Sequence, residues 1–370
     1  MLTKSRLIAL PLLTMLAGTA AHAAPDGYYN VVMNSSSGGL GIELVQLGEH
    51  GELTLDIAGF SKMGYGKCIV NFTRDEAGQP KDYAPVIQQN AATCPETITF
   101  TLEDGTDGMP VIKFTEGGSL KGESSNIFPV LLPYKPEFAP KHPQNFNILG
   151  MTNGQTRAEV EKTLEAEGYK LNESWSGDLS YEGFTRALAV YSKYDAQNDP
   201  KDSIGITYTA KYDGGPEERA ITIQRKWILT AEDNISVNTL RKSLGEKHGI
   251  GNADSPFNAY HFDREGNWKE GASRPICDDK IHLQPVSVPT QIVGSSSDGE
   301  AMPIACGVEL GVSIFEDYSS PGRAEMLTMT LKSPEVAYED FWLTWSRGEA
   351  TALKARYDSQ MGMAGNAPKL

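Results

Sequence analysis

The chain has 370 residues and a formal net charge of −15, from 33 Lys and Arg against 48 Asp and Glu. So acidic a chain is not built to hold phosphate backbones, which excludes nucleic-acid binding as its main role. Hydrophobic residues at 39% and charged residues at 22% exclude a disordered chain, and the length suggests two or three domains.

Residues 1–23 read as a secretory leader. Lys4 and Arg6 give the positive start, Leu7 to Leu16 a short apolar stretch, and Ala21-His22-Ala23 a small-residue cleavage site. The apolar stretch is too short to cross a bilayer, and no other stretch approaches the length needed. The expectation is a periplasmic or secreted product, cut near Ala23, with no transmembrane segment and no lipid anchor.

Residues 24–132 read as an all-β domain. Leu53, Leu55 and Ile57 alternate with Thr54 and Asp56, and Ile98, Phe100 and Leu102 with Thr99 and Thr101. Such period-two runs mark strands with one buried face. Gly-rich turns separate them, at 48–51, 104–108 and 117–118, which suggests a small barrel or sandwich. Residues 133–145 hold Pro133, Pro136, Pro140 and Pro143, and read as a stiff linker.

Residues 146–370 read as an α+β domain. Thr156-Arg157-Ala158-Glu159 is a capping box opening a helix with Val160 and Leu164 on one face, ended by Gly168. Strands are predicted at 204–210 and 219–229. A second helix starts at Ser236, with Ile235 and Leu240 at staple spacing, Val237, Leu240 and Leu244 as its stripe, and Gly249 as its stop. Strands follow at 259–263, 281–286, 305–315 and 324–331, so a helix-then-strands unit reads as if stated twice. Ser333-Pro334 opens a last helix over about 334–357. Its stripe of Ala337, Tyr338, Phe341, Trp342, Trp345 and Gly348 predicts a face that docks on a sheet.

In this domain the strand faces separate by polarity. Cys306, Val308, Leu310, Val312 and Ile314 share one face, as do Leu327, Met329 and Leu331, and Ile221, Ile223, Trp227 and Leu229. The opposite faces carry Thr222, Gln224, Lys226, Glu309, Ser313, Thr328 and Thr330. That pattern predicts a sheet covered on one side, with these seven residues as a candidate interaction face. Arg225 on the apolar side breaks the pattern.

Four cysteines, Cys68, Cys94, Cys277 and Cys306, suit disulfides in an exported chain. Of three possible pairings, Cys68–Cys94 and Cys277–Cys306 are favoured because each closes a loop of about 30 residues within one domain.

The run Phe146-Asn147-Ile148-Leu149-Gly150-Met151-Thr152-Asn153-Gly154-Gln155-Thr156, with Glu159-Val160 and Leu164, carries a resemblance. It resembles the opening of small exported α/β modules of the outer-membrane-assembly lipoprotein (SmpA/OmlA) and β-lactamase-inhibitor-protein type. Lys247-His248-Gly249, the segment from Phe262 to Trp268, and Cys277 are similar to exported bacterial proteins with such a module. The resemblance implies helices on one face of an antiparallel sheet and a free face able to bind a partner protein. The chain departs from those modules in lacking a lipid-anchor Cys and in adding a β domain. No functional residue carries over.

Motifs for other chemistries are missing. Gly117-Gly118-Ser119-Leu120-Lys121 and Gly294-Ser295-Ser296-Ser297-Asp298 both fail the G-x-S-x-G elbow. No two histidines have H-E-x-x-H spacing, and His261 with Asp263 is only a lone pair. No phosphate-binding glycine loop occurs, and residues 195–202 lack the glycine and final Glu of an EF-hand loop. No catalytic residue, metal ligand or cofactor is assigned. The expected role is a non-enzymatic protein–protein interaction in the cell envelope, as an inhibitor or assembly factor. The alternatives are a small-molecule or glycan binder using the β domain, and an exported hydrolase with scattered carboxylates.

Overall fold

The computed structural model describes residues 24–365, except 36–37, 58–65, 90–93, 106–109, 134–145, 182–183, 196–197, 213, 249–256, 263–267 and 270–307. The leader, most of the linker, Cys277, Cys306, Asp263 and the strand expected at 281–286 lie outside these residues. Among the described residues the fold is mostly β, with antiparallel sheets and three α-helices.

The N-terminal part holds β1 (Gly27–Ser35), β2 (Gly38–Leu47), β3 (His50–Ile57), β4 (Gly66–Arg74), β5 (Pro80–Lys81), β6 (Ile87–Gln89), β7 (Thr99–Asp104), β8 (Pro110–Glu116), β9 (Ser124–Asn126) and β10 (Phe128–Leu131). One sheet runs β10-β1-β2-β3-β4-β5 with β6 on β4, and the other runs β7-β8-β9. Both turn their apolar alternate residues inward. Leu44, Leu53, Leu55, Val70 and Phe72 meet Ile98, Phe100, Leu102, Ile112 and Phe114 in one core. Cys68 on β4 is disulfide-bonded to Cys94, with Cα atoms 5.7 Å apart.

The rest holds α1 (Arg157–Ala166), β11 (Lys170–Leu171), β12 (Gly177–Tyr181), β13 (Phe184–Tyr194), β14 (Pro200–Lys211), β15 (Ala220–Ile228), α2 (Val237–His248), β16 (Phe257–Phe262), β17 (Trp268–Lys269), β18 (Glu309–Glu316), β19 (Ala324–Lys332) and α3 (Pro334–Gly365). The capping box at α1 forms: the Thr156 side chain accepts from the Glu159 amide, and the Glu159 carboxylate accepts from the Thr156 amide. The nine-stranded sheet runs β11-β13-β14-β15-β19-β18-β16-β17, with β12 on β13. Val160 and Leu164 of α1 and Val237 and Leu240 of α2 share one core with Ile204, Ile206, Ile223, Leu310, Leu327 and Leu331. Both helices therefore cover the same sheet face.

The sheet has an approximate internal twofold. Each helix cap clamps the start of the strand that ends its half. Thr156 bridges Arg219, and Ser236 bridges Arg323. The Ala220 amide donates to Gln155 O, and the Ala324 amide to Ile235 O, both at 2.9 Å. Each of these strands then bulges one residue on. Thr207 faces Thr222 while Tyr208 faces Ala220, so Ile221 is the extra residue; Phe315 faces Met326 while Glu316 faces Ala324, so Glu325 is its counterpart. β15 and β19 pair antiparallel at the centre, with Arg225 opposite Met329.

The bulge changes the predicted face of Ile221. It does not join Ile223 in the α1/α2 core but packs against Ala337 of α3, with Val336 and Phe341. A bulge turns two successive residues to one side, which strict alternation cannot reveal.

Helix α3 runs to Gly365, beyond the expected end near 357. Its first turns lie on the large sheet. Asp340 accepts from Arg186 Nε and from the Ala210 amide, both at 2.8 Å, and Glu339 accepts from Arg219 at 2.6 Å. Its aromatic stripe docks on the N-terminal sheet, where Tyr338, Trp342 and Leu353 join Leu47 and Leu131. Tyr338 donates to Leu132 O at 2.8 Å, and Arg356 reaches Glu52 at 2.7 Å. A single helix thus ties the two parts together.

Candidate protein-docking face

The face of the large sheet away from α1 and α2 is divided. α3 occupies the end near the β14–β15 hairpin, where Thr222 is 8% exposed and Ile221 fully buried. Beyond it, register lines up two rows of polar residues and glycines. One row is Ser203, Lys226, Thr328 and Ser313; the next is Gly205, Gln224, Thr330 and Gly311. Gln224 and Lys226 are exposed, and Ser313, Thr328 and Thr330 half-exposed. A methyl group built on Gly205 would meet nothing within 4 Å, so the surface above it is open.

Five of the seven expected face residues, Gln224, Lys226, Ser313, Thr328 and Thr330, therefore lie together on this open stretch. Thr222 is the exception: it is buried, next to Ile221 on which α3 packs, so it does not belong to the open stretch. Glu309 stands opposite Lys332, but its side chain lies outside the described set.

The far end of the face is more apolar. Ile228, 39% exposed, pairs with Met326, which pairs with Phe315. Past them the β18–β19 hairpin presents Tyr318, fully exposed. That hairpin is held by its own side chains: Asp317 accepts from the Ser319 amide at 2.8 Å and its hydroxyl at 2.7 Å, and pairs with Arg323. An open hollow beside it is lined by Asn234, Ser236, Ser320 and Arg323.

Arg225, on the helix-covered side, is explained by a partner far away in sequence. Its Nε and Nη2 donate to Asp202 at 3.0 and 2.6 Å, Tyr169 donates to the same carboxylate at 2.7 Å, and the guanidinium lies 5.0 Å from the Trp227 ring. Burial, then the bond to Asp202, pushes the Tyr169 hydroxyl pKa far up, so it stays a donor. Every group in this network is used, and it serves to brace β14 against β15. At the end of α2, burial and then the nearby Lys247 charge push His248 down to about 4, so it is neutral at pH 7.

Other expected chemistry finds no geometry. Between β13 and β14, Asp195 accepts from the Asp199 amide at 2.8 Å, while residues 196–197 lie outside the described set. His261 lies on β16, but its side chain is outside the described set. Among the described residues no group of three metal-ligating side chains occurs, and no helix is long and apolar enough to cross a membrane. The molecule is thus a mostly β, antiparallel α+β protein with one sheet face half covered by its last helix. Comparison with family models, curated proteins and solved structures found no match.

Proposed function

We propose that this chain is an exported, non-enzymatic binding protein that captures another protein on the open half of its large sheet. One observation carries the reading. The sheet is packed with helices on one side, and on the other it leaves uncovered two register-aligned rows of polar residues and glycines, with Gln224 and Lys226 exposed, bordered by Ile228, Met326 and Phe315. Polar rows beside an apolar border have the make-up of an interface with a dry centre and a wet rim. The central β15–β19 pairing, the paired caps and the paired bulges support reading the sheet as a duplicated α/β unit. They fit the expected similarity to inhibitor-type and assembly-type modules, which bind proteins on such a face.

Export is supported by the leader pattern and by the Cys68–Cys94 disulfide, a bond kept in oxidising compartments. No geometry favours the ligand-binding alternative, since Tyr29, Phe72, Phe100 and Phe114 fill the interior of the N-terminal part. The test is affinity capture from the source cell's envelope with immobilised residues 24–370. Gln224→Lys with Ser313→Lys is expected to abolish capture of a specific protein while the thermal midpoint stays within about 2 °C, as for surface changes. Unchanged capture by this variant would remove the face assignment.

A further inference from the structure

We infer that the bulge at Glu325 is a second helix seat on the open face, and that its occupant is a basic amphipathic helix of the partner protein. The inference rests on the binding reading above and specifies its partner. The argument comes from the internal twofold. The first seat is formed by the bulge residue Ile221, with Thr222 and Thr207 beside it, and a helix sits there: Ala337 of α3 packs on Ile221, and the acids Glu339 and Asp340 take up Arg219 and Arg186. The second seat is formed by Glu325, with Met326 and Phe315 in the corresponding places. Glu325 is exposed and Met326 half-exposed. Two bulges of the same kind turn their residues outward in the same way, so the backbone of the second seat offers a helix the same support.

The chemistry of the two seats differs in sign. At the first seat the arginines need acids from the helix. At the second, Arg323, the counterpart of Arg219, is already neutralised by Asp317 of its own hairpin. The bulge residue itself changes from Ile221 to Glu325, an exposed acid. An incoming helix must therefore carry Lys or Arg where α3 carries Ala337, next to apolar residues that meet Met326, Phe315 and Ile228. The chain's formal charge of −15 favours a cationic partner in the same direction. Tyr318 stands at the rim on a hairpin fixed by Asp317, so it can contact the helix without first being ordered.

The test uses two fluorescently labelled 18-residue amphipathic helical peptides with the same Leu/Ala face, one flanked by Lys and Arg and the other by Glu. Each is titrated by anisotropy against residues 24–370 with the disulfide intact. The basic peptide is expected to bind at least tenfold tighter than the acidic one, and Glu325→Lys to reverse that preference. Glu325→Gln, which keeps size and removes charge, is expected to cut the preference to under threefold, and Met326→Gln to weaken the basic peptide several-fold. Equal binding of the basic peptide to the native chain and to Glu325→Lys would overturn the inference. So would concentration-dependent self-association that Glu325→Lys abolishes, which would give the seat to a second copy. Capture lost with Gln224→Lys and Ser313→Lys but intact with Glu325→Lys would remove the seat and leave the binding reading standing; capture indifferent to both variants would remove both.

Discussion

At the residue scale, single side chains decide what the two sides of the sheet can do. The Arg186–Asp340 pair is almost fully buried and is completed by the Ala210 amide. Removing one member leaves the other charge without its partner, so Arg186→Ala is expected to cost about 3–5 kcal/mol in urea unfolding. Replacing both by apolar residues of similar size is expected to cost much less. His248 gives a pH prediction. Its folded pKa, about 4, lies below its ordinary value near 6.5, so the folded state binds fewer protons than the unfolded one. Stability from this neutral imidazole is present above pH 6.5 and is lost as pH falls from there towards 4. His248→Phe is therefore expected to flatten the fall in thermal midpoint between pH 7 and pH 4.5, relative to the native chain. The sequence could show that Arg225 was out of place among apolar neighbours. It could not show the reason, because Asp202 and Tyr169 reach it from other elements of the domain.

At the element scale, what local chemistry controls was legible and what packing controls was not. The α1 capping box and the N-cap of α3 follow from Thr156, Glu159 and Ser333; the Ser333 hydroxyl accepts from the Val336 amide at 3.2 Å. The Trp-rich stripe of α3 was readable as a docking face, but not which sheet it meets, since helical spacing carries no address. Trp342 is 9% exposed in the seam between α3 and the N-terminal sheet. Trp342→Ala is expected to cost about 3 kcal/mol or more and to make α3 cleavable by trypsin at Arg356 before either sheet unfolds. The bulges at Ile221 and Glu325 were invisible to alternation counting, because a bulge is a relation between two strands. Reading through Ile221 as a regular strand residue placed it on the wrong side. Thr222 was assigned to the open face for a related reason: alternation gives its direction correctly but does not foresee that it is buried next to the α3 contact.

At the scale of the whole molecule, α3 holds two β structures in one unit, and the disulfide braces the N-terminal one. The Cys68–Cys94 link closes a span of 26 residues and ties the segment after β6 to the core. Its removal in Cys68→Ala with Cys94→Ala is expected to cost about 3 kcal/mol on a loop-entropy basis, read from the shift in denaturation midpoint. The large sheet, with a helix-packed side and a side only partly covered by α3, is the feature on which the proposed binding role rests. Five of its open-face residues could be picked from the sequence by polarity alone; the extent of the opening could not, because it is set by where α3 lands. The central claim is that this opening takes a protein partner. The most direct measurement is capture from envelope extract at moderate salt by residues 24–370, native and with Gln224→Lys and Ser313→Lys, followed by mass spectrometry. The account predicts one specific protein retained by the native chain and lost from the variant at an unchanged thermal midpoint. The same protein retained equally by both would contradict it.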